Sequence, residues 1–344
     1  MADKITSLQV AQKAGVSQSA VSRVFTPGAS VSKKTADKVR QAADALGYRP
    51  NTLARAMVSG KSRIIGLVVA YLENHFYPEA LEKLSNTLQE QGYHVLIFMA
   101  SQTAGNIDDA MDEILDYQVD GIVLASVAMS SDIAYRCQQA GVPVVLFNRS
   151  QDMDGITSVT SDNSAGGRKI AEFLIAGGHQ KIGYIAGWEG ASTQRDREAG
   201  FRAALQDANI DLFAREVGDF HTERAHDAAR KMFDVAEDKR PDAVFVANDH
   251  MAFAAMDVIR FELGLRIPED VSVIGYDDVP PASWLAYNLT TMRQRANLMV
   301  AETVTALMEH IENPKTASPR RVAIDGPLIV RGSARLPNGW TPKG

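Results

Sequence analysis

Gln18, Ser19, Ser22 and Arg23 carry hydrogen-bonding groups of a length that reaches base edges or phosphates when one helix face presents them to a DNA groove. The surrounding stretch supplies such a helix. Thr6 followed three residues later by Gln9 is a capping-box signature, so a first helix is expected from about Ser7, with Leu8, Val10, Ala11 and Ala14 as its apolar stripe. Gly15 can end it in the left-handed conformation, and Ser17 can cap a second helix whose inner face holds Val21 and Val24. Two short helices joined by a tight glycine turn are a helix-turn-helix, whose second helix enters the major groove. By these residues alone an ordinary helical hairpin remains open.

Charge distribution favours the first reading. Net charge over the 344 residues is −6, yet residues 1–61 hold ten bases and three acids, while the remainder holds 26 bases and 39 acids. A basic head on an acidic body means that only the head meets a polyanion. The length exceeds one ordinary core, and 45% hydrophobic residues make the chain globular. No apolar run is long enough to span a bilayer, and M-A-D-K-I-T lacks a signal-peptide core, so a cytoplasmic protein without a membrane partner is expected. The lone Cys137 allows no internal disulfide, which fits a reducing compartment.

Ser32 can cap a third helix through about Leu46, stopped by Gly47, and Pro50 can open a short helix over 51–58. From Arg63 the pattern changes. Strands are expected at 64–69, 94–99, 121–125 and 142–147, with helices at 78–91, 106–117 and 131–140 between and around them. A second set follows, with strands at 181–186, 243–247 and 271–275 and helices at 164–176, 194–208, 223–235 and 250–263; the last segments, an extended one at 289–292, a helix at 296–312 and a strand at 321–324, need not belong only to that set. Short apolar strands alternating with amphipathic helices imply two doubly wound, parallel α/β subdomains. Binding sites of such sheets lie beyond the carboxyl ends of the strands, where the loops contain Asn148, Arg195, Arg197, Asn248, Asp249 and Asp277. Some of these residues have a plainer role open to them: Asn248 with Asp249, and Asp277 with Asp278, can cap helices.

Enzymatic chemistry finds little support. The seven histidines are scattered, His221 and His226 do not share a helical face at ligand spacing, and no G-x-S-x-G, G-x-G-x-x-G or acidic metal cluster with a third ligand occurs. No cofactor or metal is expected. A sugar-binding transport protein would share the core fold, but the basic headpiece and the lack of a signal peptide argue against it.

With V-S-Q-S-A-V-S-R-V, L-G-Y-R-P-N, V-D-G-I-V-L, G-V-P-V-V-L-F-N-R, S-D-N-S-A-G-G, G-H-Q-K-I-G-Y-I-A-G, R-E-A-G-F, P-D-A-V-F-V-A-N-D, V-S-V-I-G-Y-D-D and L-T-T-M-R-Q in one order, the chain resembles the lactose-repressor (LacI-type) transcription regulators over some 330 residues. The resemblance implies an all-α helix-turn-helix headpiece (1–48), a hinge helix or linker (49–61) and a periplasmic-binding-protein-like core (62–344). The core would divide into subdomain 1 (62–161 and 293–322) and subdomain 2 (162–290 and 323–344), with chain crossings near 161–163, 290–293 and 320–326. It implies a homodimer that represses at a pseudo-palindromic operator in double-stranded DNA and responds to a small effector, a sugar or sugar derivative; a purine or other non-sugar effector is the alternative. DNA contacts would come from Thr6, Ser17, Gln18, Ser19, Ser22 and Arg23, and in the hinge from Asn51, Ala54 and Met57, with Met57 wedging into the minor groove. Effector contacts would come from Asn148, Arg197, Asn248, Asp277 and Gln294, with Arg195 and Ser161 beside them, Phe220 as a wall, and the stretch 71–77 of the opposite lobe, Tyr71 and Phe76 above all. Asn148 stands where relatives often have Asp, so sugar specificity does not transfer. No leucine-heptad tail follows Arg331, which favours a dimer over a tetramer.

Overall fold

The computed structural model describes residues 5–26, 29–49, 61–100, 107–127, 130–151 and 155–339. The chain separates into two units, Met1–Ser62 and Arg63–Gly344.

In the first unit, Ser7–Ala14, Gln18–Val24 and Lys33–Leu46 are helices. Thr6 and Gln9 close a reciprocal capping box, and Gly15 ends the first helix at φ 65°. Ser17 accepts from the Ala20 amide and Ser32 from the Thr35 amide, so each later helix starts on a side-chain cap. Val10, Ala11, Val21, Val39, Ala42 and Ala43 form the core. Leu8, expected on the inner stripe, is 52% exposed. It lies on the far side of Ala11 from Val10, so the helix cannot bury it and Val10 against the same neighbours.

The second unit contains two six-stranded sheets. The first has the order β11-β5-β4-β3-β1-β2, from β1 Ile64–Val69, β2 His94–Met99, β3 Gly121–Ala125, β4 Val144–Phe147, β5 Thr157–Ser161 and β11 Arg321–Ile324. The second has the order β12-β10-β9-β8-β6-β7, from β6 Ile182–Ala186, β7 Ala214–Val217, β8 Ala243–Val246, β9 Ser272–Asp277, β10 Thr290–Arg293 and β12 Leu328–Ile329. Every described pairing is parallel except the short one between β10 and β12. β3 and β6, buried throughout, and β1, buried from Ile65 on, carry near-continuous apolar runs because helices cover both faces.

Three crossings join the lobes. The chain leaves the first sheet at Asp162, returns after β10 through Gln294, and leaves it again after Ile324. The subdomain boundary expected at 322/323 therefore falls inside β11, which pairs with β5 from Arg321↔Ser158 to Ile324↔Ser161. The bound set at 290 likewise falls inside β10, whose Thr290–Arg293 pair with β9 of the second sheet. The last crossing runs so close to β10 that a Cβ on Gly326 would stand 2.0 Å from the Arg293 carbonyl oxygen. The helix Ala296–Glu312 packs against the first sheet, where Leu307 and Ile311 lie over Gly121.

One helix pair is unusually tight. Cβ atoms on Gly167 and Gly200 would lie 2.1 Å from the Arg197 carbonyl oxygen and 1.9 Å from that of Ser164. The helices Asn163–Ala176 and Ser192–Asp207 can cross at this distance only because both positions lack a side chain.

Candidate functional site

The first candidate surface is the second headpiece helix. Gln18, Ser19, Ser22 and Arg23 are all exposed on it, as are Thr6 and Ser17 at the two caps. Ser17 Oγ lies 2.9 Å from Ser19 Oγ, and Gln18 Nε2 donates to Ser7 Oγ at 2.8 Å, which ties the start of this helix to the first one. The predicted hinge positions Asn51, Ala54 and Met57 lie outside the described residues.

The second candidate site lies between the lobes of the core, at the carboxyl ends of the strands. Its centre is Asp277, the last residue of β9, which is 3% exposed. Asn74 of the first lobe donates through Nδ2 to its Oδ2 at 2.9 Å, and Gln294 at the crossing donates through Nε2 to its Oδ1 at 2.6 Å. Gln294 in turn accepts from Ser161 Oγ at 2.8 Å. Arg197 approaches Asp277 Oδ1 at 3.5 Å, lies over the Tyr276 ring at 3.7 Å, and donates to Asn163 Oδ1 and the Ala247 carbonyl at 2.8 and 2.6 Å. One carboxylate thus gathers donors from both lobes and from the crossing between them.

Burial pushes the Asp277 carboxyl above its usual range, while Arg197, Asn74 and Gln294 act in the opposite direction. Asp249 lies behind it, fully buried, accepting from Thr291 Oγ1 at 2.6 Å and from the Val279 amide at 3.0 Å. Burial first and the Asp277 charge second push its carboxyl up to about 8. The absence of a Cβ on Gly275 makes room for it, since that atom would stand 2.2 Å from Asp249 Oδ1.

Around this centre the predicted residues separate. Asn148 of the first lobe donates to Tyr77 Oη at 3.0 Å and leaves its Oδ1 buried without a protein partner. Asn248 of the second lobe caps the helix Asp249–Asp257 through Oδ1 and leaves its Nδ2 buried without one. The capping role and a free recognition group coexist in that side chain. Asp277 and Asp278 open no α-helix; Asp278 instead accepts from Arg293 and Arg331. Phe220 is buried against Gly187, where a Cβ would meet its ring at 2.2 Å. Tyr71 meets Tyr77 edge-on at 5.3 Å, whereas Phe76 stacks on Phe147 at 6.1 Å inside the first lobe. Arg195 is turned away: it is exposed and donates to the Gly190 carbonyl at 2.8 Å. Residues two apart on a helix point to nearly opposite sides, so with Arg197 facing inward Arg195 cannot join it.

Several groups were not singled out from sequence: Asn74, Asn163, Trp188, Thr193 and, above all, Arg149. The backbone gives a further signature. Ser126, Asn148, Asp219, Phe220, Asp277 and Asp278 all have positive φ, and all follow or end strands at this cleft. Non-glycine residues in that region are strained, and such strain gathers where ligands are held.

A helix-turn-helix unit followed by a two-lobed parallel α/β core with a polar interlobe site defines a DNA-binding protein controlled by a ligand domain. Residues 8–51 match the model of bacterial regulatory proteins of the lacI family, and residues 171–334 that of a periplasmic-binding-protein-like domain. The chain is 30% identical over 340 residues to the HTH-type transcriptional repressor PurR of Vibrio vulnificus (strain CMCP6), spanning 97% of this chain and 99% of that one. Among solved structures it is similar to the lac repressor dimer bound to operator and the anti-inducer ONPF (29% identity, TM-score 0.86, 96% of this chain and 99% of that chain). It is also similar to a complex of the transcriptional regulator CelR with cellobiose (30% identity, TM-score 0.73, 96% and 100%). The chain belongs to the LacI family and is a DNA-binding transcriptional repressor that answers to a small effector. No described helix is long and apolar enough to cross a membrane.

Proposed function

We propose that the effector is a carbohydrate or a close derivative held between the two lobes, and that its binding changes the spacing of paired headpieces on an operator. The observation that carries this reading is the polar geometry at the cleft. Asp277 offers a buried acceptor fed from both lobes, while Asn148 Oδ1 and Asn248 Nδ2 supply one further acceptor and one further donor. Adjacent hydroxyls both donate and accept, so a polyol satisfies the Asn148 oxygen and the Asn248 amide, which an apolar ligand would leave unpaired, and adds a donor to the lone pairs that Asp277 still offers. Phe220 and Tyr71 suit the C–H face of a sugar ring.

In this reading the protein acts in the cytoplasm as a homodimer without catalysis. Residues 49–61 join each headpiece to the first lobe and contact the operator centre through Asn51, Ala54 and Met57. The effector shifts the lobe angle only by its differential affinity for the two arrangements. A purine is the second reading, favoured by the similarity to PurR and by the Tyr71–Tyr77 pair. Thermal-shift measurements on the full chain against neutral sugars, sugar acids and nucleobases test the choice. Stabilisation by one sugar class is expected, and stabilisation by nucleobases alone would overturn the carbohydrate reading.

A further inference from the structure

Arg149 is 4% exposed, and its guanidinium meets no carboxylate among the described residues. Its Nη1 donates to Thr193 Oγ1 and its Nη2 to Ser126 Oγ, each at 3.2 Å, and its Nε has no protein partner. Trp188 lies against it at 5.7 Å. Burial pulls its pKa below the usual arginine range; Tyr77 and Tyr71 act against this, and the charges of Arg197 and Arg195 act with it. A buried cation held by two neutral hydroxyls and a ring face, with no carboxylate, is costly, unlike Arg197, which has Asp277.

The helix facing it supplies a hydroxyl and no carboxylate to this guanidinium. Thr193 belongs to the first turn of the sixteen-residue helix Ser192–Asp207, whose N-cap, Ala191, provides no side-chain cap. Ser192, Thr193 and Gln194 are all buried there, and Ser192 Oγ is taken by the Ser150 amide. An uncapped helix start presents amide donors and a partial positive charge. Both features therefore call for negative charge at one place, and they come from different lobes: Arg149 follows β4, while the helix belongs to the second sheet's side.

We propose that the effector is acidic, with a carboxylate or phosphate seated between the Arg149 guanidinium and the N-terminus of helix Ser192–Asp207. The rest of the ligand faces Asp277 and Asn248, so this inference rests on the carbohydrate reading and narrows it to sugar acids or sugar phosphates. A planar fork with a free Nε matches an oxyanion, and a helix start completes its coordination. Since the oxyanion would touch both lobes, it would itself favour the closed cleft.

The test is calorimetric titration of the full-length protein with matched pairs: glucose against glucuronate, galactose against galacturonate, and glucose against glucose 6-phosphate, with hypoxanthine alongside. At least one acid should bind tighter than its neutral parent, and which pair shows the preference separates carboxylate from phosphate. Arg149→Met should weaken that acid by about 10- to 150-fold, the loss of a hydrogen bond to a charged group, while changing its neutral parent by less than about threefold. Arg149→Lys should retain part of the preference, because it keeps the charge and loses the fork. Melting curves and circular dichroism of each variant show whether it is folded. Neutral parents binding as tightly as their acids would overturn the acidic effector while leaving the carbohydrate reading intact. Hypoxanthine binding with no sugar acid bound would overturn both. Unchanged acid affinity in a folded Arg149→Met protein would overturn the seat.

Discussion

Replacing Asp277 by Asn keeps the shape of the side chain and removes its charge, which isolates the electrostatic part of the cleft. Two donors, Asn74 Nδ2 and Gln294 Nε2, point at the two oxygens of Asp277. An amide has one oxygen, so one of these contacts becomes donor against donor, and a buried donor left unpaired costs about 1–3 kcal/mol. Arg197 also loses its 3.5 Å counter-charge, although it keeps Asn163 and the Ala247 carbonyl. Against this stands the burial that already disfavours the ionised carboxyl, a cost that the neutral amide does not carry. The net loss of stability should therefore be roughly 1–3 kcal/mol, well short of the ~3–5 kcal/mol typical of breaking a buried ion pair. Effector affinity should fall further: hydroxyls that donated to a carboxylate now meet an amide, worth about 10- to 150-fold. Titration calorimetry with the effector and chemical denaturation measure the two effects separately. An unchanged effector midpoint in Asp277→Asn would refute the placement of the ligand at Asp277. So would a stability loss with no loss of affinity.

On the DNA side, Arg23→Ala should cost roughly 1–3 kcal/mol on the operator and relax specificity at one base pair per half-site, read by competition binding with single-base variants; equal loss on random DNA would reassign Arg23 to phosphate. Gly200→Ala should lower the melting temperature by the equivalent of at least about 1–3 kcal/mol, because its Cβ would stand 1.9 Å from the Ser164 carbonyl oxygen. The same change should weaken effector binding, since Arg197 and Asn163 sit on the two helices it separates. The raised carboxyl of Asp249 keeps its proton in the folded state up to about 8, whereas in the unfolded chain it ionises in the ordinary carboxylate range. The folded state binds the extra proton between those limits, so this contribution to stability falls as pH rises, by at most about 1.4 kcal/mol per pH unit. Denaturation midpoints from pH 5 to 8 should show that decline in the native protein and a flatter profile in Asp249→Asn; parallel profiles would contradict it.

Much of the architecture was legible because it is written in local chemistry. The capping box of Thr6 and Gln9, the glycine stops at 15 and 47 and the buried apolar strands each announce their own element. Three strands were missed for a shared reason. β5 reads T-S-V-T-S and β7 reads A-R-E-V, edge or near-edge strands without an apolar run, and β12 has only two residues. The helix expected over 250–263 is an α-helix only to Asp257 and then widens into a π turn at Val258–Glu262, which apolar spacing does not reveal.

At the cleft, loop position alone pointed to Asn148, Asn248 and Asp277, but side-chain direction decided the rest. Arg195 and Arg197 look equivalent in sequence, and helical geometry sends them apart. Arg149 stood in view inside F-N-R, yet its isolation from every described carboxylate is a property of three-dimensional packing. Asn74 lay within the stretch 71–77 expected from the opposite lobe, but its own role did not show in sequence, because its partner lies 203 residues away.

Whether a ligand between the lobes governs DNA binding through the headpiece can be read from one titration. A fluorescent duplex selected by this protein from random DNA is bound by the full chain, and its anisotropy is followed as effector is added, for the native protein and for Asp277→Asn. Operator affinity should change with effector in the native protein, the response in Asp277→Asn should move to a higher concentration by about 10- to 150-fold, and random DNA should show no comparable change. A ligand that stabilises the native protein against heat yet leaves operator affinity unaltered, or an identical response in both proteins, would contradict such control.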